Sequence, residues 1–434
     1  MAKLFLTSVK YKSSICGGEI GTVNKKILII SSDYTGHGHK SIAESLQEKI
    51  AENEQIQIHV VDGFSLGGSA LLNIGKSYGP ITRYSAQLWN AIWHVSAMNS
   101  YAIDKGVENL IKDDFMVLLD EVKPDVILSI HPNFNGSVIN ILRKERIQIP
   151  FGTLIADLVN IYPLWCDPRA DFILCPTKEA KLKCLEYGVP KEKIHVVGFP
   201  VRERFLGHQN KTFEIKSELN FLIMSGGEGV GDMNTIAENL LNHFDCTVTI
   251  IAGRNETLKA ELENSLKPRF DKRVDVLGFT KNIQDLMLAA DIGIMRGSPN
   301  TMFEAVATNL PMIITGALPG QEKDNPLFAE KHLLGVNCQD NENLKSIIDQ
   351  LLANDGENLK MIMESQRKFI NPLAAQDILD YVTSAEKAKG KSRKRRRIHL
   401  VLATRKSFKK FKRRKPLKKF KRRKPLKKLK RRVG

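Results

Sequence analysis

The stretch KILIISSDYTGHGHKSIAESL, residues 26–46, leads from an apolar run into a helical pattern through a turn that contains Gly36 and Gly38. The apolar run predicts a buried strand at 26–31. A strand followed by a tight turn and an amphipathic helix is typical of a parallel βαβ unit. Two histidines, His37 and His39, lie in the turn. At this point three interpretations of the histidines are open: a metal site, a catalytic base and a phosphate-binding loop.

The same alternation of strand and helix patterns continues along most of the 434 residues. Further strand patterns lie at 56–62, 125–130, 151–155, 171–175 and 194–197 and, after a polar segment at 205–216, at 221–224, 246–251, 274–277, 292–295 and 312–315. We therefore predict two doubly wound, Rossmann-like α/β domains that face a cleft, at 25–205 and 206–386, after an N-terminal extension at 1–24.

The charge is distributed unevenly along the chain. Residues 387–434 hold 27 of the 66 Lys and Arg residues and no Asp or Glu, so residues 1–386 keep 39 basic against 48 acidic residues, a net charge of −9. The basic tail contains a nine-residue repeat, KRRKPLKKF at 412–420 and KRRKPLKKL at 421–429. So much like charge predicts a disordered tail that binds anionic membrane lipid or, secondarily, nucleic acid.

The six cysteines are scattered and form no CxxC pair, which predicts reduced thiols in a cytoplasmic protein and no zinc site. The sequence has no apolar run of the roughly 18–20 residues that a membrane span requires. It also contains no Asp-x-Asp motif. We therefore expect neither a metal nor another cofactor. The predicted location is cytoplasmic and peripheral on the inner face of the cell membrane, which the basic tail would bind.

Ligands of open parallel sheets bind beyond the carboxyl ends of the strands, where loops enter helix N-termini. In the second predicted domain three loops are rich in glycine or polar residues. The predicted donor-binding residues are those of these loops together with two residues after neighbouring strands: Gly226, Gly227, Glu228, Arg254, Phe279, Gly297, Ser298, Asn300, Thr301, Glu304, Gln321, Glu322 and Asn325. Ser298 can cap a helix that begins at Pro299, and the free N–H groups of that turn suit a diphosphate.

The first predicted domain supplies the candidate catalytic residues. His39 lies at the start of a helix and faces the second domain, so it is a candidate general base. Asp157 follows a strand and could orient or acidify that neighbourhood, or else cap a turn. Trp89, Trp93 and Trp165, with the loop glycines Gly36 and Gly38, form the predicted acceptor side. For Trp89 and Trp93, which are spaced i,i+4 on one predicted helix face, packing in the core is the favoured alternative.

Several segments resemble the family of monogalactosyldiacylglycerol synthases and processive diacylglycerol glucosyltransferases. They include the opening turn, the stretch ADLVNIYPLWCDPRADFILCPTKEAKLKCLEYGVPKEKIHVVGFPVRERF at 156–205, the stretch GFTKNIQDLMLAADIGIMRGSPNTMFEA at 278–305 and PGQEKDN at 319–325. The similarity extends over residues 25–385. It implies the GT-B fold and transfer of a hexose from UDP-glucose or UDP-galactose to diacylglycerol.

The resemblance also implies roles for individual residues. It places His39 near the acceptor hydroxyl, Phe279 by the uracil, Glu304 on the ribose, and Gln321 and Glu322 on the sugar. Two other functions stay open at this point. One is a GT-B transferase that acts on a polyprenyl-linked cell-envelope intermediate, and the other is a nucleic-acid-binding protein that uses its basic tail.

Overall fold

Six parallel strands form the first sheet of the computed structural model, which describes residues 25–35, 38–50, 55–208, 210–224 and 232–386. The strands are β1 (Lys25–Ser31), β2 (Ile56–Asp62), β3 (Val126–Ser129), β4 (Phe151–Leu154), β5 (Phe172–Cys175) and β6 (Ile194–Val196). Their order in the sheet is β2-β1-β3-β4-β5-β6. The reversal of strand order beside β1 brings the loops after β1 and β3 together at one edge of the sheet, where ligands bind in such folds.

Six helices accompany the first sheet: α1 (Gly38–Ile50), α2 (Gly68–Tyr84), α3 (Ala86–Met98), α4 (Ser100–Val122), α5 (Asn135–Lys144) and α6 (Lys178–Glu186). The apolar side chains of β1, from Ile27 to Ile30, are fully buried. A strand buried on both faces reads as a continuous apolar run, which is the pattern that identified it in the sequence. Helix α1 begins at Gly38, so His39 lies in its first turn.

The second sheet repeats this arrangement. Its strands are β7 (Leu219–Met224), β8 (Cys246–Gly253), β9 (Val274–Gly278), β10 (Ile292–Arg296), β11 (Met312–Gly316) and β12 (Gly335–Asn337), in the order β12-β11-β10-β7-β8-β9. The remaining helices are α7 (Met233–His243), α8 (Glu256–Phe270), α9 (Ile283–Ala289), α10 (Pro299–Ala307), α11 (Asn325–Lys331), α12 (Leu344–Phe369) and α13 (Ala374–Ser384). Helix α12 is interrupted by four residues with non-helical backbone, Ala353 to Gly356.

The described residues between 25 and 386 fall within one compact unit. Helix α13 follows the second sheet along the chain but packs against α1, β1 and β3 of the first sheet. Its Tyr381 hydroxyl lies 2.7 Å from His195 Nε2 at the end of the first sheet. Near the connection between the sheets, the Phe199 ring stacks on Phe303 with 4.7 Å between ring centres. The two sheets therefore share a continuous apolar contact.

The prediction of two doubly wound α/β domains is confirmed. The limits 25–205 and 206–386 stay a prediction, since α13 lies in the second range and contacts the first sheet. The sequence patterns missed the short strand β12 and otherwise located every strand to within three residues at either end. Several predicted features lie outside the described residues: the extension 1–24, Gly36, Gly226, Gly227, Glu228 and the tail 387–434.

Candidate active site

His39 is the second residue of α1, and its side chain is buried between the ends of β1 and β3. Only 9% of the residue is exposed, and its Nδ1 has no hydrogen-bond partner among the described residues. Burial lowers the pKa of His39 to about 4, although a hydrogen bond with the Ile130 backbone opposes this shift. His39 is therefore neutral at physiological pH, with a lone pair on one ring nitrogen.

A second histidine, His131, lies beside His39 and was missed in the sequence. The centres of the two rings are 4.7 Å apart. His131 Nδ1 accepts a hydrogen bond from the Asn133 N–H at 3.3 Å, so its own proton is on Nε2, which lies 3.0 Å from Thr35 Oγ1. Thr35 Oγ1 in turn donates to Ser32 Oγ at 2.7 Å. This chain of hydrogen bonds holds the beginning of the glycine turn against β3. The signal that could have revealed it is the polar stretch directly after the predicted strand at 125–130.

Asp157 lies three residues beyond β4 and is buried. Its Oδ2 accepts a hydrogen bond from Trp165 Nε1 at 2.6 Å, and its Oδ1 accepts one from Gln321 Nε2 at 2.8 Å. Burial raises the pKa of Asp157 to about 6, and the two hydrogen bonds oppose this shift. Both oxygens thus accept from side chains, and neither partner is the backbone N–H that a turn cap would use. Asp157 is connected to His39 through Trp165, whose ring centre is 6.2 Å from that of His39.

The turn before α10 meets the start of α1. An added Cβ at Gly38 would lie 2.5 Å from Asn300 Nδ2, so the two turns approach closely and a side chain at position 38 would displace the Asn300 amide. Ser298 occupies the N-cap position and Pro299 the first helical position, as the sequence predicts. The Ser298 hydroxyl donates to Thr301 Oγ1 at 2.9 Å and makes no cap bond to the backbone. The first N–H groups of α10 are therefore not capped by that side chain.

Glu304 is buried in α10 and bonded to the first domain. Its Oε1 accepts a hydrogen bond from Arg202 Nη2 at 2.5 Å and one from Ser41 Oγ at 3.5 Å. Arg202 Nη1 also lies 3.3 Å from Glu44 Oε2. Burial raises the pKa of Glu304, and the charge of Arg202 opposes this. The residue that the resemblance assigns to the ribose is thus in contact with the first domain, and Arg202 joins α1 to α10.

The Pro-Gly-Gln-Glu turn is held by its own polar groups. Glu322 Oε2 accepts from Arg296 Nη2 at 3.1 Å and from the Leu318 N–H at 2.8 Å. Asn325 Nδ2 donates to the Gly297 carbonyl at 2.8 Å, which fixes this turn against the one before α10. The Asn325 Oδ1 is buried and has no partner among the described residues. The structure therefore brings three of the predicted donor-binding residues, Gly297, Glu322 and Asn325, together.

Arg254 and Phe279 contact each other at the carboxyl ends of β8 and β9. The Arg254 guanidinium carbon lies 4.7 Å from the centre of the Phe279 ring, and 54% of Phe279 is exposed. A flat aromatic face paired with a guanidinium is suited to stacking with a planar ring.

Trp89 and Trp93 lie on α3 and are half-buried. Trp89 contacts Tyr78 of α2 with 4.9 Å between ring centres, and Trp93 contacts Tyr162 at 5.8 Å. An added Cβ at Gly320, whose φ is +82°, would lie 3.0 Å from the Trp93 ring. Trp93 therefore connects α3 to the Pro-Gly-Gln-Glu turn, whereas Trp165 is completely buried.

A cavity of about 200 Å³ opens at the carboxyl ends of β7, β10 and β11. Its lining includes Met224, Arg296 and Gly316 from the second sheet and Thr82 from α2. None of the individually predicted donor-binding residues lines this cavity, although Arg296 and Pro319 belong to the stretches at 278–305 and 319–325 that carry the resemblance. Arg296 could have been found, since it directly precedes the glycine of the predicted diphosphate turn.

Within the described residues, no three His, Cys, Asp or Glu side chains are grouped so that they could hold a metal ion. In the same part of the chain, no helix combines the length and the apolar character that a membrane crossing requires. The five described cysteines are all buried and unpaired.

Two α/β domains, each built on a parallel six-stranded sheet, with candidate catalytic residues on one and candidate donor-binding turns on the other, are the arrangement of the GT-B fold. Solved structures agree: MurG of Acinetobacter baumannii has a TM-score of 0.54 at 15% identity, with 83% of this chain and 100% of that chain covered. An S. aureus MnaA–UDP structure has a TM-score of 0.54 at 13% identity, covering 82% and 96%.

The sequence comparisons are more specific. Residues 39–201 match the protein-family model of monogalactosyldiacylglycerol (MGDG) synthase, and residues 222–380 match that of the glycosyltransferase family 28 C-terminal domain. A probable monogalactosyldiacylglycerol synthase 2 of Oryza sativa subsp. japonica is 28% identical over 390 residues, with 84% of this chain and 81% of that protein covered. Monogalactosyldiacylglycerol synthase 2 of Arabidopsis thaliana is 27% identical, covering 84% and 82%. The chain belongs to the monogalactosyldiacylglycerol synthase family of glycosyltransferases.

Proposed function

We propose that this protein transfers a hexose from UDP-galactose or UDP-glucose to the free hydroxyl of diacylglycerol. The proposal extends to this chain the activity for which its relatives are named, since they are monogalactosyldiacylglycerol synthases. The observation that carries it is the contact between Gly38 and Asn300. This contact brings the candidate base of the first domain next to the candidate diphosphate turn of the second.

In the proposed reaction His39 removes the proton of the acceptor hydroxyl as its oxygen bonds to the anomeric carbon of the hexose. The bond between that carbon and the diphosphate oxygen breaks, and its electron pair leaves with UDP. The uncapped N–H groups at the start of α10 stabilise the negative charge on the leaving diphosphate. Neutral His39 can act as a base from the outset, since burial lowers its pKa to about 4 and so keeps it unprotonated at physiological pH.

The donor occupies the second domain in this proposal. Phe279 with Arg254 binds the uracil, Glu304 accepts from the ribose hydroxyls, and Gln321 with Glu322 contacts the hexose. Glu304 shares Oε1 between Arg202 and Ser41, so the ribose binds to Oε2 or displaces these partners.

The acceptor approaches from α3. Residues 84–103 contain no Asp, Glu, Lys or Arg, and Leu88, Val95 and Met98 of α3 are 50%, 67% and 88% exposed. An uncharged helix with exposed apolar side chains suits the interface of a bilayer. Trp93 of the same helix touches the Pro-Gly-Gln-Glu turn, so a lipid bound there has its polar end near the candidate donor site.

The basic tail provides a second attachment in this proposal. A body with a net charge of −9 is repelled by anionic lipid, whereas each Lys or Arg near such a surface contributes about 1 kcal/mol. Removal of residues 387–434 is expected to leave UDP-hexose binding intact and to weaken sedimentation with anionic vesicles. Equal sedimentation of truncated and full-length proteins would leave α3 as the principal membrane contact.

The test of the proposed function is incubation of the full-length protein with radiolabelled UDP-galactose or UDP-glucose and diacylglycerol vesicles, followed by lipid chromatography. We expect a labelled glycosyldiacylglycerol, formed equally well with EDTA present because no metal is proposed. Label that appears only on a polyprenyl phosphate acceptor would contradict the proposed acceptor. A reaction that EDTA abolishes would contradict the proposed metal independence.

A further inference from the structure

Asp157 receives one hydrogen bond from each domain. Trp165, eight residues further along the chain, donates its indole N–H to Oδ2 at 2.6 Å, while Gln321, on the other side of the interface, donates its amide N–H to Oδ1 at 2.8 Å. Asp157 is 3% exposed, so water does not compete freely for these positions. Each carboxylate oxygen is thus assigned to a different domain.

The chemistry of the three groups fixes how the Gln321 amide is turned. An indole N–H can only donate, and an ionised carboxylate can only accept. The pKa of Asp157, which burial raises to about 6, leaves it ionised at pH 7.5. Gln321 must therefore present Nε2 to Asp157, which leaves Oε1 as its acceptor for other groups.

We propose that Asp157 is a positioning residue that fixes the Gln321 amide so that Oε1 accepts a hydrogen bond from a hydroxyl of the donor hexose. The proposal rests on the proposed function, in which Gln321 contacts the hexose of a UDP-sugar. Glucose and galactose differ in the direction of one hydroxyl. A site that presents a fixed acceptor distinguishes them better than an amide that is free to turn.

The variant Asp157→Asn inverts this arrangement with little change in volume. Trp165 still requires an acceptor and takes Oδ1 of the new amide, so the Nδ2 group faces Gln321. Two facing N–H groups repel, and Gln321 must turn its Oε1 towards residue 157. The group presented to the hexose changes from an acceptor to a donor, and we expect the ratio of UDP-galactose to UDP-glucose affinity to change about tenfold.

The double variant Asp157→Asn with Gln321→Glu is the matched rescue. A glutamate at 321 accepts from the Asn side chain with one oxygen and presents the other as an acceptor, as the wild-type amide does. The net charge of the pair is also unchanged. We expect the affinity ratio to return to within about twofold of the wild-type value, a difference below 0.5 kcal/mol.

The control is Asn160→Ala, which breaks a different pair of hydrogen bonds across the same interface. Asn160 Nδ2 donates to Asp324 Oδ2 at 2.8 Å, and the Asp324 N–H donates to Asn160 Oδ1 at 2.9 Å. A general weakening of the interface affects this variant as much as Asp157→Asn. We expect Asn160→Ala to keep the wild-type ratio.

The measurement is calorimetric titration of the full-length proteins with UDP, UDP-galactose and UDP-glucose, which needs no lipid acceptor. A changed ratio in Asp157→Asn, restored in the double variant and with UDP affinity constant throughout, supports the proposal. An unchanged ratio, or a double variant that behaves like Asp157→Asn, overturns it. A wild-type protein that binds UDP but neither UDP-hexose contradicts the proposed donor, and the inference fails with it.

A second variant keeps the proposal testable if Asp157→Asn does not fold. Trp165→Phe removes the N–H that holds Oδ2 and retains the charge that orients Gln321. We expect the ratio of UDP-galactose to UDP-glucose affinity to move about two- to threefold closer to one, because the carboxylate can then rotate. A Trp165→Phe protein with the wild-type ratio would overturn the inference in that case.

Discussion

The two halves of the candidate site are held in different ways. In the first domain His39, His131 and Thr35 are fixed by contacts among residues of that domain. In the second domain Glu304 and Gln321 have their hydrogen bonds with Arg202 and Asp157, across the interface. The candidate base is thus preorganised within one domain, whereas the candidate donor-binding side chains depend on how the two domains meet. Substitutions in the first half should affect the chemical step, and those in the second half should affect donor binding.

The largest expected effect comes from His39→Ala. Loss of a general base is expected to lower kcat by roughly 10²–10⁴-fold, and the affinity for UDP should stay near the wild-type value because the proposed UDP site lies on the other domain. Turnover by lipid chromatography and calorimetry with UDP measure the two quantities. His243→Ala, an exposed histidine at the end of α7, is the matched control and should retain activity. A folded His39→Ala protein with wild-type turnover would exclude His39 from the mechanism.

The pH dependence of kcat/KM reports the pKa of His39 in the free enzyme, and that of kcat reports its pKa beside a bound donor. Burial lowers the pKa of His39 to about 4, and a base must be unprotonated, so the contribution of His39 to kcat/KM should stay level from pH 7 to 5. Below pH 4 it should fall about tenfold per unit. A diphosphate nearby favours the imidazolium, so the acid limb of kcat should lie at a higher pH than that of kcat/KM. Coincident limbs would show that the donor does not alter the charge environment of His39.

Asp157 has a pKa of about 6 and could produce a limb of its own. The same profiles measured on Asp157→Asn remove that contribution. If the limb near pH 4 persists in this variant, it belongs to His39 and not to Asp157.

The sequence was sufficient where the cause of a feature is local. The apolar run of β1, the turn at Gly38 and the Ser298–Pro299 helix start are determined by residues within a few positions of each other, and each was located correctly. The contact of Arg202 with Glu304 joins residues 102 positions apart, and that of Asp157 with Gln321 joins residues 164 apart. A single sequence contains no periodicity that pairs such positions, so these contacts required the fold.

His131 illustrates the same limit on the first domain. Its place after a predicted strand marks it as a candidate, but its relation to His39 depends on the order of the strands. Strand β3 lies next to β1 in the sheet although 94 residues separate Ser31 from Val126 along the chain, a crossover that the pattern of strands and helices leaves undetermined. The ring contact of 4.7 Å follows from that order.

A smaller effect is expected from substitutions on the donor half. Glu304→Ala should weaken UDP and UDP-hexose binding alike, because the ribose is common to both, whereas Gln321→Ala should spare UDP. Loss of one hydrogen bond costs about 0.5–1.5 kcal/mol, which is a two- to tenfold change in affinity. Calorimetric titration of both variants with UDP and UDP-galactose tests whether Glu304 contacts the ribose and Gln321 the hexose. Equal losses of UDP affinity in the two variants would contradict the assignment.

Glu304→Ala should also lower the melting temperature of the protein. Loss of a residue that contacts only the ligand would not have this effect. The Arg202 side chain is 15% exposed and would lose its closest carboxylate. Leaving a largely buried charge without its partner is destabilising. Glu304→Gln retains an oxygen that can accept from Arg202, so its melting temperature should lie between those of the wild type and Glu304→Ala.

The smallest expected effect tests the point where the two halves touch. Gly38→Ala places a methyl group 2.5 Å from Asn300 Nδ2, and the Asn300 side chain must turn away. Because the displaced atom is at the end of a flexible side chain, we expect a coupling of only about 0.5–1 kcal/mol, or a two- to fivefold loss in kcat/KM. The double variant with Asn300→Ser removes the obstructing amide, so Gly38→Ala should cost almost nothing in that background. If instead the loss is equal in both backgrounds, Gly38 serves the flexibility of its own turn, and the two halves do not depend on each other through this contact.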